Sequence, residues 1–252
     1  MDMIQLAVLA FGVIAASVIK NGAGVGAGIF LLPVLAFVFP PKVALGLGAP
    51  AMLVGDLMGI RNYWGEWDEW GSILRVILAA SVGIVVGGLL LQFMSASVFK
   101  KSIGIYAVCF AAFRLSKDLG LLRKPAEKRA LKLPGGDLAS SLGIGFLGGI
   151  TTALAHAGGV VWSIYYAGRG LEKRRFVGTI ILLFALSNFV KFLTYIKLDL
   201  LSWHSTLIVL AMTPLIIFGS NLGNRINKGM SNVVFRRSVL SLILVLGATL
   251  LF

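Results

Sequence analysis

Apolar residues run along this chain in long stretches separated by gaps of a few residues, the pattern of a chain that crosses a membrane repeatedly as helices. Reading the runs between polar breaks predicts ten helical elements, at about 4–19, 24–39, 42–61, 73–92, 98–116, 138–154, 157–168, 176–195, 203–222 and 233–252. One long polar stretch, 117–137, carries Lys117, Arg123, Lys124, Lys128, Arg129 and Lys132 and divides the chain into two halves, 1–116 and 138–252, of five elements each. The stretch 157–168 would make a helix of roughly 18 Å, against an apolar layer of about 30 Å, so it is too short to span easily. The segments 4–39 and 138–168 therefore fit helical hairpins that turn near the midplane. Each half adds three further crossings, an odd number, which gives the halves opposite orientation. They also echo each other in sequence at an offset of about 131. Gly24-Val25-Gly26-Ala27-Gly28 falls on Ala155-His156-Ala157-Gly158-Gly159, Pro41-Lys42 falls on Glu172-Lys173, and Gly46 lies one residue out of step with Gly178. The expected fold is an all-α polytopic membrane protein of 8–10 membrane segments in two inverted repeats. Secondary transporters are commonly built this way, with the substrate near the midplane at the repeat interface.

Composition excludes the main alternatives. Of the 252 residues 58% are hydrophobic and 13% charged, whereas a soluble domain is roughly 25% charged. A soluble domain, a disordered chain and a coiled coil are all ruled out. Cys109, the single cysteine, lies in an apolar run, so neither a disulfide frame nor a cysteine metal site is expected. The N-terminal run begins with Asp2 instead of a basic region, and reads as a membrane segment even though Ala15-Ala16-Ser17 resembles a cleavage site. The net charge of +13 is mostly topological. The stretches 61–75, 114–137, 169–175 and 223–237 hold 17 of the 23 lysines and arginines, against Lys42, Lys100, Lys101 and Lys197 on the other side. This bias places those four stretches in the cytoplasm and both termini outside, in the plasma (inner) membrane. It leaves no excess of positive charge that calls for nucleic acid.

Candidate chemistry is confined to a few polar positions. Asn21 to Gly28 reads N-G-A-G-V-G-A-G after Lys20. The overlapping pairs Gly22/Gly26 and Gly24/Gly28 fit close helix packing, within one subunit or between two copies in a homodimer. The same run fits an interrupted helix whose backbone N–H groups face an anion, and Pro33, Pro41 and Pro50 favour breaks nearby. The counterpart in the second half runs from Thr151-Thr152 through His156 to Gly158-Gly159. His156 is the one histidine inside a hydrophobic element, placed to bind an anion or carry a proton; His204, beside Trp203, reads as interfacial. Asp56 is an intramembrane carboxylate, fitting either an ion pair with Lys20 or Arg61 or a proton-coupling role. Asn188 and Lys191 share a helix face; Lys191 could supply positive charge to a substrate site, but it is expected to snorkel to the outer interface. Asn221, Asn224 and Arg225 read as an interfacial anchor. Trp64, Trp67 and Trp70, with Glu66, Asp68 and Glu69, read as a membrane-interface belt. No hydrolase, zinc or nucleotide motif is present.

The glycine cluster ending in Gly24-Val25-Gly26-Ala27-Gly28, followed by Ile29-Phe30-Leu31-Leu32-Pro33-Val34-Leu35, resembles the G-x-G-G-G-x-x-x-x-P-x-L signature of the TauE/SafE family of sulfite and organosulfonate exporters, also called the 4-toluene sulfonate uptake permease family. Pro41 to Gly46 is similar to a second patch of that family, and the resemblance covers the whole chain. Ala27, Ala155 and Ala157 stand in place of glycines, and Ile164 stands where the repeat would put a match to Pro33. The resemblance implies secondary transport, by export, of small sulfur-containing anions such as sulfite, sulfonates or sulfoacetate.

The expectation that results is a carrier with no cofactor and no metal, working by alternating access of one repeat against the other. The turns at 20–28 and 151–159 are expected to meet near the midplane as an anion site. Lys20, Asn21, Gly22, Gly24, Gly26, Gly28, Thr151, Thr152, His156, Gly158, Gly159 and Asn188 would bind substrate, and Asp56 and His156 would couple protons or form ion pairs. The rival readings are a passive anion channel, a membrane-embedded enzyme using His156 and a cation carrier organised around Asp56.

Overall fold

Among the described residues, two helices of only 10 residues, too short to cross a bilayer, each follow a break in the chain at a glycine-rich turn. They are α2, Ala27–Ala36, and α7, Gly158–Ala167, each of 10 residues or about 15 Å of helix. They follow α1 (Met3–Ala23) and α6 (Gly136–Ala155). The remaining helices are α3 (Pro41–Asn62), α4 (Trp70–Phe93), α5 (Ala96–Asp118), α8 (Lys173–Lys197), α9 (Trp203–Ala211), α10 (Thr213–Gly229) and α11 (Asn232–Thr249). This computed structural model describes residues 1–23, 26–121, 136–229 and 232–252, and every regular element among them is helical. Gly24 and the basic residues Arg123 to Lys132 lie outside the described residues.

Among the described residues six helices are long and apolar enough to cross a membrane, and α9 and α10, bent by 48° at their break, make a seventh if the pair is one span. The predicted ninth element is thus two helices. Pro214 at the start of α10 has no N–H to give the carbonyl of Leu210, and the hydroxyl of Thr213 takes that carbonyl instead, at 2.6 Å.

Elements of the two halves recur at a nearly constant spacing. α2 and α7 open at Ala27 and Gly158, 131 residues apart; α3 and α8 open at Pro41 and Lys173, 132 apart; α4 and α9 open at Trp70 and Trp203, 133 apart.

The chain divides into two units that each draw on both sequence halves. Unit 1 is Met1–Ala51, Met94–Pro125 and His204–Phe252, and unit 2 is Met52–Phe93 and Ala126–Trp203. In unit 1, α1 packs along α10 and α2, and α5 packs along α11. In unit 2, α4 packs along α6 and α8, with α7 against both α6 and α8. In each unit the first helix of one half therefore packs against the fourth element of the other half.

Glycine sets the closest of these approaches. On α6, a Cβ at Gly145 would stand 2.4 Å from the Val76 carbonyl oxygen, and one at Gly149 would stand 2.2 Å from that of Ala80. From α4, Gly83 meets the backbone of Phe146 in the same way. In unit 1, Gly219 and Gly223 of α10 lie against the Ile14 and Val18 carbonyls of α1. Each pair is spaced four residues apart, the small-residue ridge that lets helix backbones meet without lipid between them.

Candidate functional site

The core of unit 2 is apolar. Ile73, Val76, Ala80, Trp162, Tyr166 and Leu183 are buried at its centre. Into this setting α8 carries a lysine. Lys191 is 0% exposed, so it does not snorkel as the sequence suggests; its side chain turns inward because a polar group awaits it at the α6–α7 break. Its Nζ lies 2.6 Å from His156 Nδ1, 3.4 Å from Thr152 Oγ1 and 3.5 Å from the Thr152 carbonyl oxygen. His156 and Thr152 are themselves buried. With Lys191 as an ammonium, which can only donate, Nδ1 would be the acceptor and the ring proton would sit on Nε2.

The break that presents His156 is made by its backbone. His156 has φ +51°, in the left-handed region that non-glycine residues seldom adopt. Its N–H still bonds back to the Thr152 carbonyl, closing α6, while Ala157 precedes α7 with no side-chain cap. Gly158 and Gly159 supply the first N–H groups of α7, which a helix leaves without internal acceptors, at the positive end of its dipole. Both glycines are also tightly packed. A Cβ at Gly158 would meet the Gly148 carbonyl at 2.5 Å, and one at Gly159 would lie 2.0 Å from Cζ of Phe184.

One turn before Lys191 on α8, Asn188 donates its amide to Oδ2 of Asp56 at 2.5 Å. Asp56, on α3, is fully buried. The sequence suggests Lys20 or Arg61 as its partner, and the structure brings Asn188 to it. Ser187 is buried beside Asn188 but spends its hydroxyl on the Phe184 carbonyl, 3.0 Å away. Thr151 likewise turns back onto α6, bonding the Leu147 and Gly148 carbonyls at 3.0 Å each, so of the two threonines Thr152 is the one beside Lys191.

Unit 1 has a parallel break with different side chains. Lys20, Asn21 and Gly22 lie in the last turns of α1, and the Asn21 amide bonds the Ser17 carbonyl at 3.0 Å. Gly26, at φ +93°, turns the chain into α2, which also starts with no side-chain cap. Ala27 and Gly28 open α2, whose residues are all buried. A recess of about 280 Å³ between α1, α2 and α11 is lined by apolar side chains such as Phe11, Phe30 and Leu242, with nothing to receive a charge.

The far end of unit 2 holds a second polar cluster. Asp68, 5% exposed, pairs with Arg169 at 2.7 Å, and its N–H bonds Thr179 Oγ1 at 2.8 Å. Asp137 at the start of α6 pairs with Arg75 at 3.0 Å and with Arg169 at 3.2 Å, and accepts the Tyr165 hydroxyl at 2.8 Å. Partial burial opposes the Arg169 charge, but Asp68, Tyr165 and Asp137 outweigh it and hold the guanidinium above its ordinary range. Arg174 pairs with Glu66 at 3.0 Å, and Arg175 bonds the Trp67 carbonyl. Trp67 stands edge-on to both Trp64 and Trp70. The aromatic, acidic loop is thus tied to the basic 169–175 stretch and is more than a belt. In unit 1 Arg236 and Arg237 bind Asp118 in a similar way.

The sequence reading weighs Lys191 as a charge for a substrate site but expects it at the outer interface, so it is not among the expected site residues. Its intramembrane charge, one helical turn from Asn188, was the available signal. His204 begins α9 exposed beside exposed Trp203, at a helix edge as the sequence suggests, and Asn221 and Arg225 are exposed on α10.

Neither a curated protein nor a solved structure matches this chain. The sequence model of the sulfite exporter TauE/SafE family matches residues 8–250, and with the all-helical, membrane-crossing architecture this establishes that the chain belongs to that family of membrane transporters.

Proposed function

We propose that this protein is a secondary carrier that exports small sulfur-containing oxyanions, such as sulfite or organosulfonates, by alternating access and with proton coupling. The observation that carries the reading is the buried ammonium of Lys191 at the break that opens α7. A cation removed from water inside an apolar bundle is costly and marks a place where charge is handled. The N–H groups of Gly158 and Gly159 and the α7 dipole add positive potential at the same point. Thr152 and His156 add groups that can exchange hydrogen bonds with an oxyanion. The family supports sulfur-containing anions as the substrate class.

In unit 1 the corresponding groups are the N–H groups at Ala27 and Gly28, with Lys20 and Asn21 before them. The recurrence of elements at offsets of 131 to 133 residues supports reading the halves as inverted repeats. The ion pairs joining 66–68 to 169–174, and Asp118 to Arg236, support placing each pair of stretches on one side of the membrane. Their basic residues make that side cytoplasmic and put both termini outside.

The test is uptake of labelled sulfite into proteoliposomes, with sulfate, sulfoacetate, taurine and chloride as competitors. Saturable uptake with counterflow, competed by sulfur anions and lost in Lys191→Met, supports the carrier. Flux that does not saturate and shows no counterflow points to a channel, and no flux under any gradient removes the proposal.

A further inference from the structure

We propose that Arg114, Arg236 and Arg237, gathered around Asp118 at one end of unit 1, form a binding site for the phosphate group of an anionic phospholipid. The site is independent of the transport reading and lies in a different part of the chain.

Asp118 is the last residue of α5, a helix long and apolar enough to cross a membrane, so the cluster sits at the depth of lipid headgroups. Arg236 Nε lies 2.5 Å from Asp118 Oδ2, and Arg237 donates to the Asp118 carbonyl. Arg114, one turn earlier on α5, adds its charge to the same carboxylate. Three guanidinium groups thus share one carboxylate. Fully solvated cations in such number need no partner, because water and salt screen them. Lys117, exposed on the same turn, is of that kind. The arginine cluster is different. The side chains of Asp118 and Arg236 are 11% and 27% exposed, and Arg237 Nε is closed off from water with no hydrogen-bond partner among the described residues. A half-buried excess of positive charge is unfavourable until an anion compensates it.

Unit 1 has no other carboxylate to offer. Within its residues the carboxylate side chains are those of Asp2 and Asp118. α1 runs parallel to α10, with Ile14 against Gly219 and Val18 against Gly223, so Asp2 lies at the end of the unit away from the start of α11. The helix dipoles do not help, because the negative end of α5 meets the positive end of α11.

A phospholipid suits the place better than a free anion, because apolar surface flanks the cluster. Phe113 and Leu119 on the α5 side, and Val233 and Val234 in the first turn of α11, are all exposed. Guanidinium groups match the paired oxygens of a phosphate, and the acyl chains below it would cover these apolar residues.

The test is thermal unfolding of the full-length protein in mild detergent with added phosphatidylglycerol, phosphatidylcholine or inorganic phosphate, beside native mass spectrometry. Phosphatidylglycerol should raise the midpoint by about 2–4 °C and stay bound at about one lipid per chain. Phosphatidylcholine and inorganic phosphate should do neither. Arg114→Gln and Arg237→Gln both leave the Arg236–Asp118 pair in place. In each, affinity for phosphatidylglycerol should fall about tenfold or more, as expected for a lost charge-assisted hydrogen bond. Lys117→Gln removes the same charge from a solvated position and should keep the wild-type affinity.

Equal shifts with the two lipids overturn the proposal from the wild type alone, whether or not the variants fold. So does a shift reproduced by inorganic phosphate, which would assign the cluster to a free anion. A loss of affinity as large in Lys117→Gln as in the arginine variants would mean diffuse attraction by a basic face, and overturns it too. None of these results touches the carrier, whose test is sulfite flux.

Discussion

Asn188 donates its side-chain amide to the carboxylate of Asp56 at 2.5 Å, with the two residues 3% and 0% exposed. The bond joins α8 to α3 where no water can replace it. Removing the donor leaves a buried carboxylate short of a hydrogen bond, so Asn188→Leu should lower stability by about 1.5–3 kcal/mol. Asp56→Asn, which removes the charge and keeps the shape, should lose less. The double variant Asp56→Leu with Asn188→Leu should recover part of the loss, because an apolar pair has nothing left to satisfy. Thermal unfolding of the detergent-purified protein reads all three. An Asn188→Leu variant as stable as the wild type would show that the bond does not hold α3 to α8.

His156 does two things at once, and its backbone is the less obvious of them. At φ +51° a β-branched side chain is strained, whereas asparagine and glycine are tolerated. Beyond the loss of the Lys191 contact, His156→Val should be less stable than His156→Asn by about 1–2 kcal/mol. Equal stabilities for the two variants would mean that the turn relaxes freely and that the residue type does not fix the break between α6 and α7.

Much of this architecture is legible in the chain. The expected short element at 157–168 is α7, Gly158–Ala167, and the pattern of apolar runs locates every long helix to within a few residues. These are local properties. The expected element at 24–39 is shorter, Ala27–Ala36, because Gly26 opens it late and the chain leaves it before Pro40-Pro41. The expected ninth element is broken, because averaged hydropathy does not see that Pro214 cannot bond the Leu210 carbonyl. Lys191 shows what the sequence withholds. Its distance from a helix end suggests an exposed ammonium, and only the approach of His156 and Thr152 from another helix turns it inward. The glycine pairs Gly83/Gly87, Gly145/Gly149 and Gly219/Gly223 are plain in the sequence, but the carbonyls they press against belong to partners that no local pattern names.

The glycines of the α6–α7 hairpin separate packing from substrate binding. A methyl group at Gly159 would meet the ring of Phe184, which can move; one at Gly149 would meet the backbone of Ala80, which cannot. Gly149→Ala should therefore destabilise by about 1–3 kcal/mol with no second-site remedy at Ala80, as overpacked cores do. Gly159→Ala should be rescued by Phe184→Leu. If the rescued double variant regains stability but still fails to transport sulfite, Gly159 serves the anion as well as the packing. If transport returns with stability, its role is packing alone.

The ion pairs at the end of unit 2 test the orientation of the chain. Glu66 and Arg174 are joined at 3.0 Å, so the loop before α4 and the start of α8 must lie on the same side. In the proposed orientation, argued from the excess of lysine and arginine in these stretches, that side is cytoplasmic. In a background where the exposed Cys109 is replaced by serine, single cysteines at Glu66 and Arg174 should react with a membrane-impermeant thiol reagent in inside-out vesicles and stay protected in intact cells. A cysteine at Lys42 should show the reverse. Protection of Glu66 and Arg174 on opposite faces would contradict the pairing itself. Reaction of both from outside would leave the pairing intact and invert the topology, and would turn the proposed direction of transport with it. The labelling therefore decides separately what the packing and the charge bias each contribute.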